Sequence, residues 1–179
     1  RLVGSEMCIR DRNKILPAIY DLSHRDLLPA SFTLVGVARP KASIPDLATW
    51  VEDAIRAGTK TGIDETALRQ LMAGFRVVQG DYDSPETFAT LKSELEAANV
   101  ERGTGGNYAF YLAIPPALFP QVLTELKDAG LASQEEGWRR VVVEKPFGSD
   151  LASAQELDRI VTGVFDETSI CLLYTSDAA

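Results

Sequence analysis

The chain has 179 residues, 45% of them hydrophobic and 25% charged, with 18 basic against 26 acidic side chains and a net charge of −8. That length suits one domain with a single core, and the composition is that of an ordinary soluble globular protein. The acidic balance argues against nucleic acid as a partner, and no stretch is long and apolar enough to read as a membrane span.

Residues 1–12 and 171–179 read as foreign to what lies between. The tail from Cys171 to Ser176 can be encoded by DNA whose reverse complement, in a shifted frame, encodes Met7 to Asp11. Unrelated protein ends should not be encodable as one inverted repeat, so both segments are expected to be translated sequencing adaptor, the transposon end sequence. The alternative is a short basic start and a polar tail. On the adaptor reading the native stretch is 13–170, a fragment cut at both ends, and the ends pack poorly, with no place in a sheet from Leu172 onward. Cys8 and Cys171 are the only cysteines, so the native stretch offers no thiol for a disulfide, a zinc site or a nucleophile. His24 is the only histidine, which argues against a multi-histidine metal site.

In chain order, Ile15, Leu16, Ile19, Tyr20 and Leu22 form one helical stripe, with Pro17 either starting or kinking it. Ser31 to Ala38 reads as a strand ended by Arg39-Pro40. A helix opens around Ser43 to Leu47 and reaches Gly58, and another runs from Asp64 to Leu71 and ends near Gly74. Phe75 to Gln79 is a short strand, followed by Asp81-Tyr82-Asp83 and a helix from Pro85 to Ala98 with Asp83 or Ser84 as cap. The loop Gly103-Thr104-Gly105-Gly106 leads into a strand from Asn107 to Ile114, halted by Pro115-Pro116. Pro120 to Gly130 is helical and ended by glycine. Val141 to Val143 is a strand without polar alternation, the pattern of burial on both faces, and a helix follows through Leu151, Leu157, Ile160 and Val161. Strands alternating with helices imply right-handed crossovers and a mostly parallel sheet.

The stretch Val141-Val142-Val143-Glu144-Lys145-Pro146-Phe147-Gly148 is the most informative one, since ligands collect at the carboxyl ends of parallel strands. It resembles the strand and EKPFG turn of glucose-6-phosphate dehydrogenases. Phe110-Tyr-Leu-Ala-Ile-Pro-Pro116 resembles the family's FYLALPP strand, Leu34-Val-Gly-Val-Ala-Arg39 its VGxAR strand and Lys14-Ile-Leu-Pro-Ala-Ile-Tyr20 its KLLPALY helix. The matches fall in the family's order and cover essentially all of 13–170. The resemblance implies a Rossmann-type, doubly wound α/β domain, incomplete because the opening strand with its GxxGDL turn would precede Asn13. The RIDHYLGK motif, with the general-base histidine, would follow Ile170. No catalytic residue is therefore retained, and the antiparallel substrate domain is absent. The implied parent is a cytoplasmic homo-oligomer that oxidises glucose 6-phosphate with NADP. The rivals are a related sugar oxidoreductase with the same EKP turn, and a catalytically silent nucleotide-binding or interaction module.

Arg39 is the sharpest inference from chemistry. At the end of the second strand of a Rossmann fold an acid accepts from the ribose 2′-hydroxyl of NAD, whereas an arginine accommodates a 2′-phosphate, so Arg39 with Lys41 nearby favours NADP. The other reading is a solvated cation. Lys145, aimed by Pro146, is placed by the family between nicotinamide and sugar, contacting both cofactor and substrate. Tyr111 either meets the cofactor, as its family counterpart does, or packs in the core. Glu144 supports the turn, and His24 is a surface residue without a neighbour placed as acid, base or ligand. Asp81, Asp83 and Glu86 are explained by turn formation and capping.

Overall fold

The computed structural model describes residues 14–39, 46–60, 62–144 and 150–173. Helix α1 (Leu16–His24) carries Pro17 in its first turn, where a missing amide removes no helical bond, so the proline starts the helix instead of kinking it. It ends at Asp26, whose φ of 54° lets the Leu27 amide reach the Leu22 carbonyl at 2.9 Å. Strand β1 (Val35–Ala38) follows, then helix α2 (Leu47–Gly58), whose first amides are met by Asp46, its carboxylate accepting from Ala48 at 3.0 Å. Asp64 caps helix α3 (Glu65–Ala73) in the same way, accepting from the amides of Thr66 and Ala67. Strand β2 (Arg76–Gln79) leads to helix α4 (Pro85–Arg102), which continues past the expected end at Ala98. Beyond it lie β3 (Tyr108–Leu112), a 3-10 turn at Pro116–Leu118, α5 (Phe119–Asp128), β4 (Arg139–Glu144), α6 (Leu151–Thr162), a 3-10 turn at Glu167–Ser169 and β5 (Ile170–Leu173). Among the described residues no helix is long and apolar enough to cross a membrane.

The chain divides into two compact units, Arg1–Asp81 with Ser93–Thr104, and Tyr82–Lys92 with Gly105–Ala179. In the first, β1 pairs in parallel with β2, from Val35 opposite Arg76 to Ala38 opposite Gln79. Its core is built by α1, α2 and α3 through Leu16, Tyr20, Val51, Ile55, Leu68 and Leu71, with Phe32, Leu34, Trp50 and Phe75 packed against them. Burying one such large apolar side chain contributes about 1.5–3 kcal/mol. Tyr20 is 1% exposed, and its oxygen accepts from the Asp64 amide at 2.7 Å. One aromatic of α1 therefore fills the core and also fixes where α3 begins.

In the second unit the strand order is β3-β4-β5, all parallel, with Tyr108 opposite Arg139, Leu112 opposite Val143, Val141 opposite Ile170 and Glu144 opposite Leu173. Helix α5 buries Phe119, Val122, Leu123 and Leu126, the spacing that puts four side chains on one face. It closes with Gly130 at φ 73° and a bond from the Leu131 amide to the Leu126 carbonyl at 2.9 Å, a Schellman ending. Phe110 of β3 meets the buried Phe165 with ring centroids 6.1 Å apart.

Every strand is parallel and helices separate them, as the alternation predicts, but the ladders form two small sheets where one was expected. The orders themselves are informative. A doubly wound sheet of order 3-2-1-4-5-6 contains parallel two-stranded and three-stranded runs of this kind. The opening strand expected before Asn13 falls outside the described residues.

One expectation is corrected. Cys171, Leu172 and Leu173 have a place in the sheet, as β5 alongside β4. A parallel ladder is made by amides and carbonyls that every residue carries, so it extends beyond Ile170 without any match of side chains to a core. Those side chains do protrude, with Leu172 43% and Leu173 37% exposed.

Candidate functional site

In the first unit the candidate position is the carboxyl end of β1. Arg39 follows the last residue of the strand and is exposed, and just before it the Ala38 carbonyl accepts from the Gly80 amide at 3.1 Å. The amino end of α2, reached after residues 40–45, is answered by the protein's own anion. Asp46 accepts from the Ala48 amide and, at 2.5 Å, from the Thr49 hydroxyl. The Thr49 hydroxyl is the main reason that Asp46 is held below the usual carboxylate range. Lys41 lies outside the described residues.

In the second unit the carboxyl ends of β3 and β4 bring Tyr111 and Glu144 together, the Tyr111 hydroxyl donating to the Glu144 carboxylate. The register explains the meeting. Tyr111 stands opposite Val142, so Glu144, two residues further on, emerges on the same face of the sheet. Both side chains are half-buried. Tyr111 is half-buried and bonded to Glu144, short of the full burial that the core reading describes. Glu144 engages a neighbouring strand, beyond the turn support expected of it. Lys145, with Pro146, Phe147 and Gly148, lies outside the described residues.

The glycine-rich loop at 103–106 precedes β3 and thus belongs to the amino edge of its sheet. Gly106 has φ 67°, and a Cβ there would fall 2.6 Å from the Glu136 carbonyl oxygen, so only glycine fits the approach. The Gly106 carbonyl accepts from the guanidinium of Arg139, which also donates to the Leu131 carbonyl at 3.1 Å and lies 4.1 Å from the centre of the Tyr108 ring. Arg139 is 5% exposed, and burial pushes its pKa down. A loop whose carbonyl faces a cation is a structural clasp, whereas a phosphate cradle presents amides.

His24 is 46% exposed, as a surface residue should be, but it has an acidic neighbour the sequence did not suggest. Its Nδ1 is 3.8 Å from the Asp64 carboxylate and its ring stacks on Tyr20. The Asp64 carboxylate is committed to capping α3, and chiefly the Ala67 amide holds it below the usual range. Glu86 accepts from the Ser84 hydroxyl at 2.6 Å at the start of α4. Among the described residues no group of three or more His, Cys, Asp or Glu is arranged to hold a metal ion.

Parallel strands joined by helices, in the two- and three-stranded runs that a doubly wound sheet contains, with polar side chains gathered at strand carboxyl ends, define a dinucleotide-binding α/β domain. Residues 11–173 match the family described as "Glucose-6-phosphate dehydrogenase, NAD binding domain", and the chain belongs to that family. It is 48% identical over 160 residues to the glucose-6-phosphate 1-dehydrogenase 2 of Mycobacterium tuberculosis, covering 89% of this chain and 31% of the relative. It is 36% identical over 159 residues to the glucose-6-phosphate 1-dehydrogenase of Schizosaccharomyces pombe, again covering 89% and 31%. A solved glucose-6-phosphate dehydrogenase in complex with its substrate glucose-6-phosphate superposes with a TM-score of 0.79 at 28% identity, over 92% of this chain and 34% of that one. The enzyme from Mycobacterium avium gives a TM-score of 0.75 at 28% identity, over 92% and 33%. The chain thus spans about a third of the length of the proteins it matches.

Proposed function

We propose that the chain is the dinucleotide-binding part of an NADP-dependent glucose-6-phosphate 1-dehydrogenase. The parent enzyme would transfer hydride from C1 of glucose 6-phosphate to the cofactor, yielding 6-phosphogluconolactone at the entry to the pentose phosphate pathway. The observation that supports the cofactor reading is Arg39 at the carboxyl end of β1, a strand that pairs in parallel with β2. A guanidinium there suits a 2′-phosphate in charge and in fork geometry. The bound nicotinamide would supply the hydride acceptor. The chain's residues would do the holding, with Arg39 at the 2′-phosphate, Tyr111 meeting the cofactor, and Lys145 bonding to substrate and cofactor to orient the C1 hydroxyl.

Proton removal from that hydroxyl needs a base, and on this reading the base lies outside the chain. Its single histidine, His24, is stacked on Tyr20 beside Asp64. Lysine has a reference pKa of about 10.4, so a lysine at Lys145 suits orientation better than proton abstraction. The polypeptide is therefore expected to form no NADPH from glucose 6-phosphate, as followed by absorbance, and robust turnover would overturn this part of the reading. In a chain extended by an opening strand and glycine turn, Arg39→Ala should weaken NADP about tenfold or more while leaving NAD nearly unchanged. Equal losses for both dinucleotides, measured by calorimetric titration, would show that Arg39 does not read the phosphate.

A further inference from the structure

We propose that the open face of the β3-β4-β5 sheet is a docking surface for the part of the parent polypeptide that lies outside this chain, with Trp138 and Arg140 as its anchors. The proposal rests on the family reading above, in which the chain is a portion of a longer enzyme, and adds to it where the remainder sits.

The first step is topological. Strands β3, β4 and β5 are neighbours in chain order and all parallel, so right-handed crossovers place α5 and α6 on the same face of their sheet. A bond from the Lys127 ammonium of α5 to the Gly163 carbonyl just after α6, at 3.3 Å, joins the two helices. Val141 and Val143 are fully buried on one face, where Phe110, opposite Val141, meets Phe165 just beyond α6. The other face carries Arg140 and Val142 of β4, with Ala109 of β3 directly opposite Arg140. There Arg140 and Ala109 are exposed and Val142 is only half-buried. Trp138 is 44% exposed, and the Arg140 guanidinium lies 5.1 Å from the centre of its ring.

The second step sets this face against the sequence. Parallel sheets occur almost only with both faces covered, and the run Val141-Val142-Val143 has no polar member to turn toward water. The strand is thus written for a cover on the side of Val142 that the described residues do not complete.

The third step is the choice of occupant. The match to this chain takes up 31% of the Mycobacterium tuberculosis relative, which leaves the larger part of such a protein to supply the cover. A second copy fits worse. A two-fold contact centred on the patch would bring Arg140 against Arg140, between chains that each carry a net charge of −8. Tryptophan and arginine are the residue types that anchor interface centres, and the small Ala109 leaves room beside them for an apolar side chain. The matching surface would be apolar, with a carboxylate to meet Arg140.

The test compares the freshly reduced chain with the full parent polypeptide expressed from its source gene. Both are treated with hydroxyl radicals, and oxidation is read residue by residue in a mass spectrometer. Trp138 should be oxidised several-fold more slowly in the parent. Ala109→Arg should leave the melting temperature of the chain nearly unchanged, because the position faces solvent there. In the parent it should lower the melting temperature by several degrees and restore oxidation of Trp138, since a charge is forced into the contact. Arg140→Gln, the milder change, should loosen the protection of Trp138 in the parent without preventing its folding.

Equal oxidation of Trp138 in the two proteins, or a parent indifferent to both substitutions, would overturn the docking. So would protection in the chain alone that grows with its concentration, which would make the occupant a second copy. NADPH formation from glucose 6-phosphate by the parent is followed alongside. Turnover with Trp138 unprotected would sink this inference alone, whereas protection without turnover would uphold it and overturn the dehydrogenase reading. A source gene that encodes nothing beyond this chain would overturn both.

Discussion

Arg139 shows what a single side chain can hold together. Its guanidinium is buried, and its bonded partners are the carbonyls of Leu131, Gly106 and Trp138, with the face of Tyr108 beneath. Truncation would remove the charged donor to the Leu131 and Gly106 carbonyls, a hydrogen bond to a charged group contributing about 1.5–3 kcal/mol, while Trp138 keeps the Tyr108 amide. Arg139→Met is therefore expected to lower the urea unfolding free energy by about 2–4 kcal/mol. Arg139→Lys should recover only part, since an ammonium cannot span the same acceptors. A loss below about 1 kcal/mol for Arg139→Met would show that the clasp is dispensable. Residues of this kind were hard to read from the sequence. Arg139-Arg140 looks like the polar lead-in to a valine run, and only the strand register shows that the first is turned inward and the second outward. The place of Arg39, by contrast, was legible, since the chain pattern put it at a strand end and it does follow the last residue of β1. The Tyr111–Glu144 bond joins residues far apart in sequence, and it follows from pairing register, which periodicity alone does not provide.

At the scale of elements, the helices follow their local signals closely. Asp46, Asp64 and Asp150 each stand one residue before a helix and each accepts from its first amides, and Asp150 with Ser153 completes a capping box. Prolines sit in first turns at α1 and α5, and glycine closes α5. These are chemical signals carried within a few residues, so the sequence displays them. Helix α5 is the strongest case for packing. Leu123 is fully buried on the face that also carries Phe119, Val122 and Leu126. Leu123→Ala should cost about 2–5 kcal/mol, the range for a leucine cavity that the surroundings fill only partly. A loss under 1 kcal/mol in a denaturant titration would mean that α5 does not anchor its unit. The division into two sheets was not legible, because strand adjacency depends on segments distant in sequence. Nor was β5, whose pairing depends on backbone atoms that composition and motif matching do not report.

For the whole molecule, acid is the condition to which the charge arrangement is most sensitive. Asp150 is held below the ordinary aspartate range chiefly by the Ser153 amide, Glu65 by Arg56, and Glu156 by Arg159, in addition to Asp46 and Asp64. A carboxylate with a lower pKa folded than unfolded binds its proton first in the unfolded chain, so lowering the pH favours unfolding. Its stabilising contribution is complete above the unfolded values, about 3.9 for Asp and 4.3 for Glu, and is lost as pH falls through the folded ones. The melting temperature should be nearly level from neutral pH to about 5 and should fall steadily below about 4. Asp150→Asn keeps a capping side chain but cannot titrate, so it should flatten part of that fall. A melting temperature that declines at pH 6 would point to another group. The chain's behaviour on storage should be governed instead by β5. Its outward Leu172 and Leu173 flank the sheet beside an exposed Cys171, the combination that invites a second copy to dock edge to edge and then be locked there by air oxidation. With Cys8→Ser in place and no reductant, the chain should accumulate covalent dimers on a non-reducing gel, and adding Cys171→Ser should abolish them.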